Sequence, residues 1–323
     1  MGARVFIDGE AGTTGLQIRA RLQERSSIEL LSLDDSQRKD AVHRARLLNA
    51  ADLVILCLPD AAAREAVSLL ENPETRVIDA STAHRTDPDW VFGFPELDAR
   101  QAELVAKARF VSNPGCYSTG AIALIRPLID AGLLQPDFPL TINGVSGYSG
   151  GGRGMIESYE DESSPNYTTR AFHTYGLGLH HKHVPEIVAR GGLTQRPIFV
   201  PSVARYSQGM LVQVPLQLGA LAAKPSVAAI HAAISAHYAG QRFVSVASLE
   251  EAARCATALD PRALNGTNDM RLYVFGDEEL GQAVLVAQLD NLGKGASGAA
   301  VQNLNLMLGL TADEGLETRA AAE

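Results

Sequence analysis

Arg4-Val5-Phe6-Ile7-Asp8 runs as a short apolar strand straight into G-E-A-G-T-T-G (Gly9 to Gly15), and a segment of helical periodicity, L-Q-I-R-A-R-L-Q-E-R, follows at once. This order leaves few folds open. Glycines let a backbone come close to a pyrophosphate, and the helix N-terminus behind them supplies N–H donors. The spacing is G-x-x-G-x-x-G, not G-x-G-x-x-G, so the motif alone also fits a structural turn. Its continuation argues for more. Apolar strands at 28–33, 50–58 and 76–80 alternate with helical stretches at 39–49 and 60–71. Alternating β and α with apolar strands predicts an α/β fold, a doubly wound, Rossmann-type parallel sheet. Ligands on such sheets bind at the C-terminal ends of strands. Those ends carry Gly9, Gly12, Thr13, Thr14 and Gly15, the segment after Leu33, then Leu58-Pro59 and Ser81-Thr82.

The segment after the second strand, S-L-D-D-S-Q-R-K-D (32–40), bears on cofactor choice. Asp34 or Asp35 suits a ribose diol and hence NAD, whereas Ser36, Arg38 and Lys39 suit a 2′-phosphate and hence NADP. A hydroxyl and two cations within four residues favour NADP, and the aspartates keep NAD open. A solvated turn is the plainer alternative.

Cys116 is the most reactive placement in the chain. Arg109 to Ser112 read as the end of a strand, Asn113-Pro114-Gly115 is strong turn chemistry, and 117–131 is apolar and helix-length. A thiol at a helix N-terminus meets about half a positive charge, which favours thiolate. A buried structural cysteine is the competing reading. Cys57, inside L-V-I-L-C-L-P, and Cys255, flanked by alanine, fit small packing residues better.

Composition narrows the function class. A chain of 323 residues, 46% hydrophobic and 20% charged, suits two domains of an ordinary soluble protein. Its net charge of -9 argues against general nucleic-acid binding, which needs clustered Lys and Arg. Three cysteines without paired spacing argue against a disulfide framework or a zinc site and fit a reducing compartment, so a cytoplasmic location is expected. No signal peptide and no membrane span are expected, because no apolar run approaches the ~18 residues a span needs.

Acid, base and anion sites come later in the chain. His180-His181-Lys182-His183-Val184-Pro185-Glu186 holds three of the eight histidines. Pro185 suits a first helical turn. General acid and base catalysis, with a carboxylate orienting an imidazole, competes with a metal site and with a solvated polar loop. No further ligand cluster has metal spacing, so no metal is expected. His43, His84, His173, His231 and His237 read as isolated and ordinary. The glycine-rich run 143–154, with Ser146, Gly147 and Arg153, allows backbone approach to a ligand and offers a bidentate cation, or is simply a flexible loop. Arg85 is a second candidate anion clamp and Arg205 a weaker third.

Together these motifs resemble the N-acetyl-γ-glutamyl-phosphate reductase family of arginine biosynthesis, in its shorter form. The carriers are G-E-A-G-T-T-G at 9–15, I-D-A-S-T-A-H-R at 78–85, S-N-P-G-C-Y-S-T at 112–119, S-G-Y-S-G-G-G-R at 146–153, H-K-H-V-P-E at 181–186 and D-N-L-G-K-G-A-S-G-A-A-V-Q-N at 290–303. The resemblance spans about residues 3 to 310 and leaves a polar tail outside.

It implies NADPH-dependent reduction of an acyl phosphate to an aldehyde through a Cys116 thioester. His183, oriented by Glu186, would be acid and base, with His181 the other candidate. Arg85 and Arg153 would hold the phosphate and the substrate carboxylate, in either order, with Asn113, Ser146 and Gly147 beside the substrate. Pro59, Ser81 and Asn291 would lie near the cofactor. It further implies a dinucleotide-binding domain of 1–115 with 294–323, reached by a returning helix over 298–310. An inserted α+β catalytic and oligomerisation domain would cover 116–293, with strands at 140–145, 198–201, 209–218 and 281–289. The implied partners are a small acyl phosphate and further copies of the chain, as a homodimer or homotetramer. The nearest rival is a semialdehyde dehydrogenase of aspartate or aminoadipyl type, against which the H-K-H-V-P-E run argues. A non-catalytic dinucleotide sensor is a rival of another class.

Overall fold

A computed structural model describes residues 2–34, 37–38 and 40–317. The described chain divides into two compact units, one of residues 2–95, 99–115 and 296–317, the other of 96–98 and 116–295.

The first unit begins with β1 (Ala3–Asp8), α1 (Thr13–Leu22), β2 (Ile28–Leu31), α2 (Ala41–Ala50), β3 (Leu53–Leu56), α3 (Asp60–Ser68) and β4 (Arg76–Asp79). It continues with β5 (Val91–Phe92), α4 (Gln101–Lys107) and β6 (Phe110–Ser112). All strand pairs are parallel, in the order β2-β1-β3-β4-β6-β5. β3 is buried at all four positions, as expected of a strand covered on both faces. One core layer packs Val5, Ile7, Ile55 and Ile78 with Ile18 and Leu22 of α1, and the other packs Phe6, Val54 and Val77 with Leu48 of α2. The predicted doubly wound sheet is therefore present. Its strand order reverses at β1, where a crevice opens beyond the strand ends.

Element ends differ from the periodicity for local reasons. α2 starts at Ala41, two residues later than predicted, because the Asp40 carboxylate accepts from the backbone N–H of Val42 and His43 and so caps the helix.

The second unit holds α5 (Cys116–Asp130), β7 (Thr141–Gly147), α6 (Gly152–Glu160), β8 (Phe172–Thr174), α7 (Val184–Gly191), β9 (Ile198–Ala204) and β10 (Met210–Gln217). It is completed by α8 (Val227–His237), β11 (Val244–Val246), α9 (Leu249–Cys255), β12 (Met270–Asp277) and β13 (Gln282–Leu289). Its mixed sheet runs β11-β12-β13-β10-β7-β9-β8, parallel at β7/β9 and β11/β12 and antiparallel elsewhere. α5 is buried along most of its length and packs on β10, β13, α7 and α8. Each fully buried Ile or Leu on it contributes about 1.5–3 kcal/mol.

A buried ion pair ties this unit. Lys294 Nζ donates to both Glu96 oxygens at 2.8 Å, with both side chains at most 2% exposed. Desolvation pulls the Lys294 pKa down, and Glu96 opposes it. Removing one member strands the other charge, so Lys294→Met should destabilise the unit by about 3–5 kcal/mol. Urea unfolding checks this, and adding Glu96→Gln to that variant should recover much of the loss.

The last helix, α10 (Gly298–Met307), belongs to the first unit, where it packs on α1, α4 and β4. It stops three residues earlier than predicted, with Gly309 in the left-handed region at φ 71°.

Candidate active site

Cys116 is the first residue of α5, directly after the Asn113-Pro114-Gly115 turn. Its thiol sits where helix N–H groups lack intrahelical partners. Between 111 and 125 it is the one residue not buried. Cys57 differs in its surroundings. Cys57 packs against the first unit's core, where burial, with the charges of Asp79 and Asp8, pushes its pKa up to about 12.

The residue after the thiol links it to the histidines. Tyr117 is buried, its hydroxyl donates to the Ser202 carbonyl at 2.8 Å, and its ring centroid lies 6.1 Å from that of His181 and 5.9 Å from that of His183. His183 caps the start of α7, with Pro185 in the first turn and Glu186 behind it. His183 is 5% exposed and Glu186 1%.

His181 is built differently. The His183 backbone N–H donates to His181 Nδ1 at 3.3 Å, and Nε2 lies 3.4 Å from the Tyr175 hydroxyl. An accepting Nδ1 leaves the proton of the neutral ring on Nε2. Desolvation, helped by the Lys182 charge, pulls the His181 pKa down to about 4. Tyr175 is pushed up to about 12 by burial and by the Cys116 charge, which brings Tyr175 within electrostatic reach of the thiol. Both tyrosines border the candidate site, and sequence reading missed them; for Tyr175 its place just before His180 was the available signal.

In the first unit each glycine of the turn has its own task. Gly9 has φ 91°, and a Cβ there would overlap the Cys57 carbonyl. Gly12 is the N-cap of α1 and offers no side chain to its N–H groups, which leaves them for a ligand. A Cβ at Gly15 would lie 2.6 Å from the Gly9 oxygen, so the helix seats directly on the turn. Thr13 and Thr14 are the first helical residues and Pro59 caps α3. A cavity of ≈ 340 Å³ at this end of the sheet is lined by Gly9, Glu10, Ala11, Leu33, Arg38 and Leu58 among others. These features fit the phosphates and one nucleoside of a dinucleotide. Arg38 pairs with Glu10 at 3.0 Å, and Arg19, which sequence reading passed over, pairs with the same carboxylate and reaches Ser32 Oγ at 3.0 Å. Ser36 and Lys39 lie outside the described residues.

Two family models match. One, described as "Semialdehyde dehydrogenase, NAD binding domain", covers residues 4–105, and one described as "Semialdehyde dehydrogenase, dimerisation domain" covers 116–291. A curated relative from Brucella ovis, named N-acetyl-gamma-glutamyl-phosphate reductase, is 57% identical over 310 residues, covering 96% of this chain and 100% of its own. The chain belongs to the N-acetyl-gamma-glutamyl-phosphate reductase family. A relative of that name from Brucella melitensis biotype 2 matches to the same extent, 57% over 310 residues. Among solved structures, aspartate semialdehyde dehydrogenase II of Vibrio cholerae, complexed with ASA, superposes with a TM-score of 0.70 at 15% identity, over 96% of this chain and 99% of that one. The Candida albicans aspartate semialdehyde dehydrogenase with NADP gives 0.62 at 13% identity, over 95% and 99%. At such identities these two speak for the fold alone. As an N-acetyl-gamma-glutamyl-phosphate reductase family member the chain is an oxidoreductase, and its first unit is a pyridine-nucleotide-binding domain.

Several residues singled out in the sequence are already engaged within their own units. Ser81 Oγ donates to Asp79 Oδ2 at 2.8 Å, and His84 Nδ1 meets the same oxygen at 2.6 Å while its ring stacks on Trp90 at 4.1 Å. His84 is thus a buried, paired group, not an isolated one, and half-buried His173 is paired too, with the Tyr159 hydroxyl at 3.2 Å. Arg85 is buried and donates to the Asn113 carbonyl at 3.1 Å and the Ala80 carbonyl at 3.2 Å. Asn113 donates to the Ala296 carbonyl at 3.0 Å and accepts from Asn303 Nδ2 at 3.0 Å. Asn291 accepts from the Gly209 N–H at 2.8 Å and donates to Ser149 Oγ at 3.0 Å, which pins the loop after β7. Ser146 is buried with its hydroxyl on the Gly147 carbonyl at 3.1 Å, and Gly147 itself abuts Ser207. Arg153 is not gathered into this set. Its side chain is 79% exposed and pairs with Glu157 at 2.7 Å, one turn along α6. Among the described residues no group of three His, Cys, Asp or Glu is arranged to hold a metal ion. Among them, too, no helix is long and apolar enough to cross a membrane.

Proposed function

We propose that the chain reduces N-acetyl-γ-glutamyl phosphate to N-acetylglutamate 5-semialdehyde and phosphate, with NADPH, through a thioester on Cys116. The observation that carries this reading is the half-buried thiol at the start of α5, one residue from a tyrosine whose ring faces both His181 and His183. The Cys116 thiolate attacks the acyl carbon, the carbon–oxygen bond to phosphate breaks, and phosphate leaves. A reduced nicotinamide supplies hydride when bound. Cys116 holds the reduced carbon as a thiohemiacetal, whose oxygen takes a proton from the His183 imidazolium. Collapse then returns that proton to His183 and the electron pair of the carbon–sulfur bond to Cys116. A thiolate suits both halves, as an intrinsically strong nucleophile on entry and a good leaving group on exit.

His183 is the better acid and base of the two histidines. His181 stays neutral down to about pH 4 and spends Nδ1 on a backbone N–H, so near neutrality it offers only a fixed donor. Glu186, buried in the first turn of α7, is the carboxylate proposed to orient the His183 imidazole. Arg85 and Arg153 are proposed for the phosphate and the substrate carboxylate, in either order, with Asn113, Ser146 and Gly147 beside them. Asn291, Ser81 and Pro59 are proposed to border the cofactor. By this reading residues 1–115 and 294–323 carry the dinucleotide and 116–293 carry catalysis and oligomer contacts.

NADP is preferred to NAD in this reading because Arg38 and Arg19 converge near the end of β2. Arg38→Ala should raise the NADPH KM about tenfold and leave that for NADH within about twofold, as steady-state kinetics with both cofactors would check. A homodimer or homotetramer in the cytoplasm completes the reading; exposed Phe172, Leu177 and Leu179, on β8 and the loop after it, offer apolar surface for a second copy.

Phosphate-dependent oxidation of N-acetylglutamate semialdehyde, followed with NADP+ and with NAD+, tests the substrate and cofactor together. Turnover that needs phosphate and prefers NADP+ is expected. Comparable turnover of aspartate semialdehyde, or none with either substrate, would overturn the assignment. A substrate longer by one methylene should be disfavoured by roughly 10–200-fold.

A further inference from the structure

We infer that Gly295 and Gly144 are positioning residues for Cys116, a role that rests on the proposed covalent chemistry. Neither glycine has a positive φ, so backbone conformation does not require glycine at either place. Space does. A Cβ at Gly295 would lie 2.8 Å from the Cys116 Cβ and 3.3 Å from its Cα. A Cβ at Gly144 would lie 2.5 Å from Cδ1 and Cε1 of Tyr117, the next residue. Real Cβ atoms do not come this close, so either substitution must move something. The missing side chains therefore define where the N-terminus of α5 sits.

What would move is fixed by the surroundings. Gly295 lies in a single π-helical turn, Gly293–Ser297, and its N–H donates to the Asp290 carbonyl at 2.9 Å. The Asp290 side chain is fully buried and accepts from Gln208 Nε2 at 2.5 Å, Gly266 N–H at 2.8 Å and Leu292 N–H at 2.9 Å. Asn291 is bonded at both ends of its amide as well. This anchored turn has little room to retreat, so a methyl group on it presses on Cys116. Gly144 is held equally, paired with Val212 of β10 and Pro201 of β9. Tyr117 is held opposite by its bond to the Ser202 carbonyl. Sequence reading placed Gly144 in a run open to ligand approach or simply flexible; the Cα atoms of Gly144 and Gly295 instead face Tyr117 and Cys116.

The test is Gly295→Ala, with Gly144→Ala as a second variant and Gly219→Ala, where a Cβ meets nothing within 4 Å, as the control. Displacing a nucleophile by a fraction of an ångström to an ångström is expected to lower kcat roughly 10²-fold. KM for the acyl phosphate and NADPH binding should stay within about threefold, and the alkylation rate of Cys116 by iodoacetamide should change at least about fivefold. Gly219→Ala should match the wild type in all four. Both glycine variants folded, with wild-type kcat and alkylation rate, would overturn the inference. So would failure of both to fold by circular dichroism, since the glycines would then serve the fold and not the thiol. If wild-type Cys116 is alkylated without loss of activity, the covalent reading itself fails, which is a separate result.

Discussion

Cys116→Ser is expected to bind NADPH with near wild-type affinity and to lose turnover by roughly three orders of magnitude or more, the scale on which loss of a nucleophile is felt. The geometry gives the reason. The thiol occupies the first position of α5, between a turn and a buried helix, and is the one residue in that run that is not fully buried. A serine hydroxyl fits the same space, so packing changes little, but it stays protonated where a thiol at a helix N-terminus ionises. It is also a poorer leaving group when the thiohemiacetal must collapse. Cofactor titration and single-turnover kinetics separate the two effects, and retained turnover would count against the nucleophile. Modification of Cys57 offers no substitute route, because burial holds that thiol protonated to about pH 12.

His183→Asn is expected to lower kcat by roughly 10²–10⁴, the usual scale for lost acid or base help, and to cost more than His181→Asn. The two rings are neighbours, 4.9 Å apart between centroids, yet differ in what they can do. His181 holds its proton on Nε2 and does not charge until about pH 4, so it cannot produce a limb of the pH–rate profile near neutrality. A limb near neutrality should therefore vanish in His183→Asn and persist in His181→Asn; the reverse would reassign the proton. The sign for stability follows as well. A histidine whose folded pKa lies below its unfolded value binds fewer protons when folded, so stability falls as pH drops from about 6.5 toward about 4. His181→Asn should reduce that acid sensitivity while leaving stability at pH 8 nearly unchanged.

Local chemistry made much of this legible in the sequence. Strand, glycine turn and helix at 4–22 and the N-P-G turn before Cys116 are short-range signals, and the parallel sheet and the helix starting at Cys116 both follow from them. Long-range placement was not legible. Tyr117 looks like an ordinary apolar helix residue until Gly144, 27 positions later in the chain, proves to admit its ring. Arg19 reads as one of several cations on a periodic helix, and only the fold brings it to Glu10 beside Arg38. Glycines 144 and 295 carry no sequence mark that separates a ligand approach from a packed contact. Arg153 has the opposite history, conspicuous in a glycine-rich run yet exposed and paired along its own helix.

Incubating the enzyme with N-acetyl-γ-glutamyl phosphate in the absence of reduced cofactor tests the covalent step without the hydride step. A burst of one phosphate per chain is expected, with the acyl group recovered by peptide mass on Cys116 and on neither Cys57 nor Cys255. Phosphate release without a burst, or an acyl group found on any other residue, would contradict a Cys116 thioester.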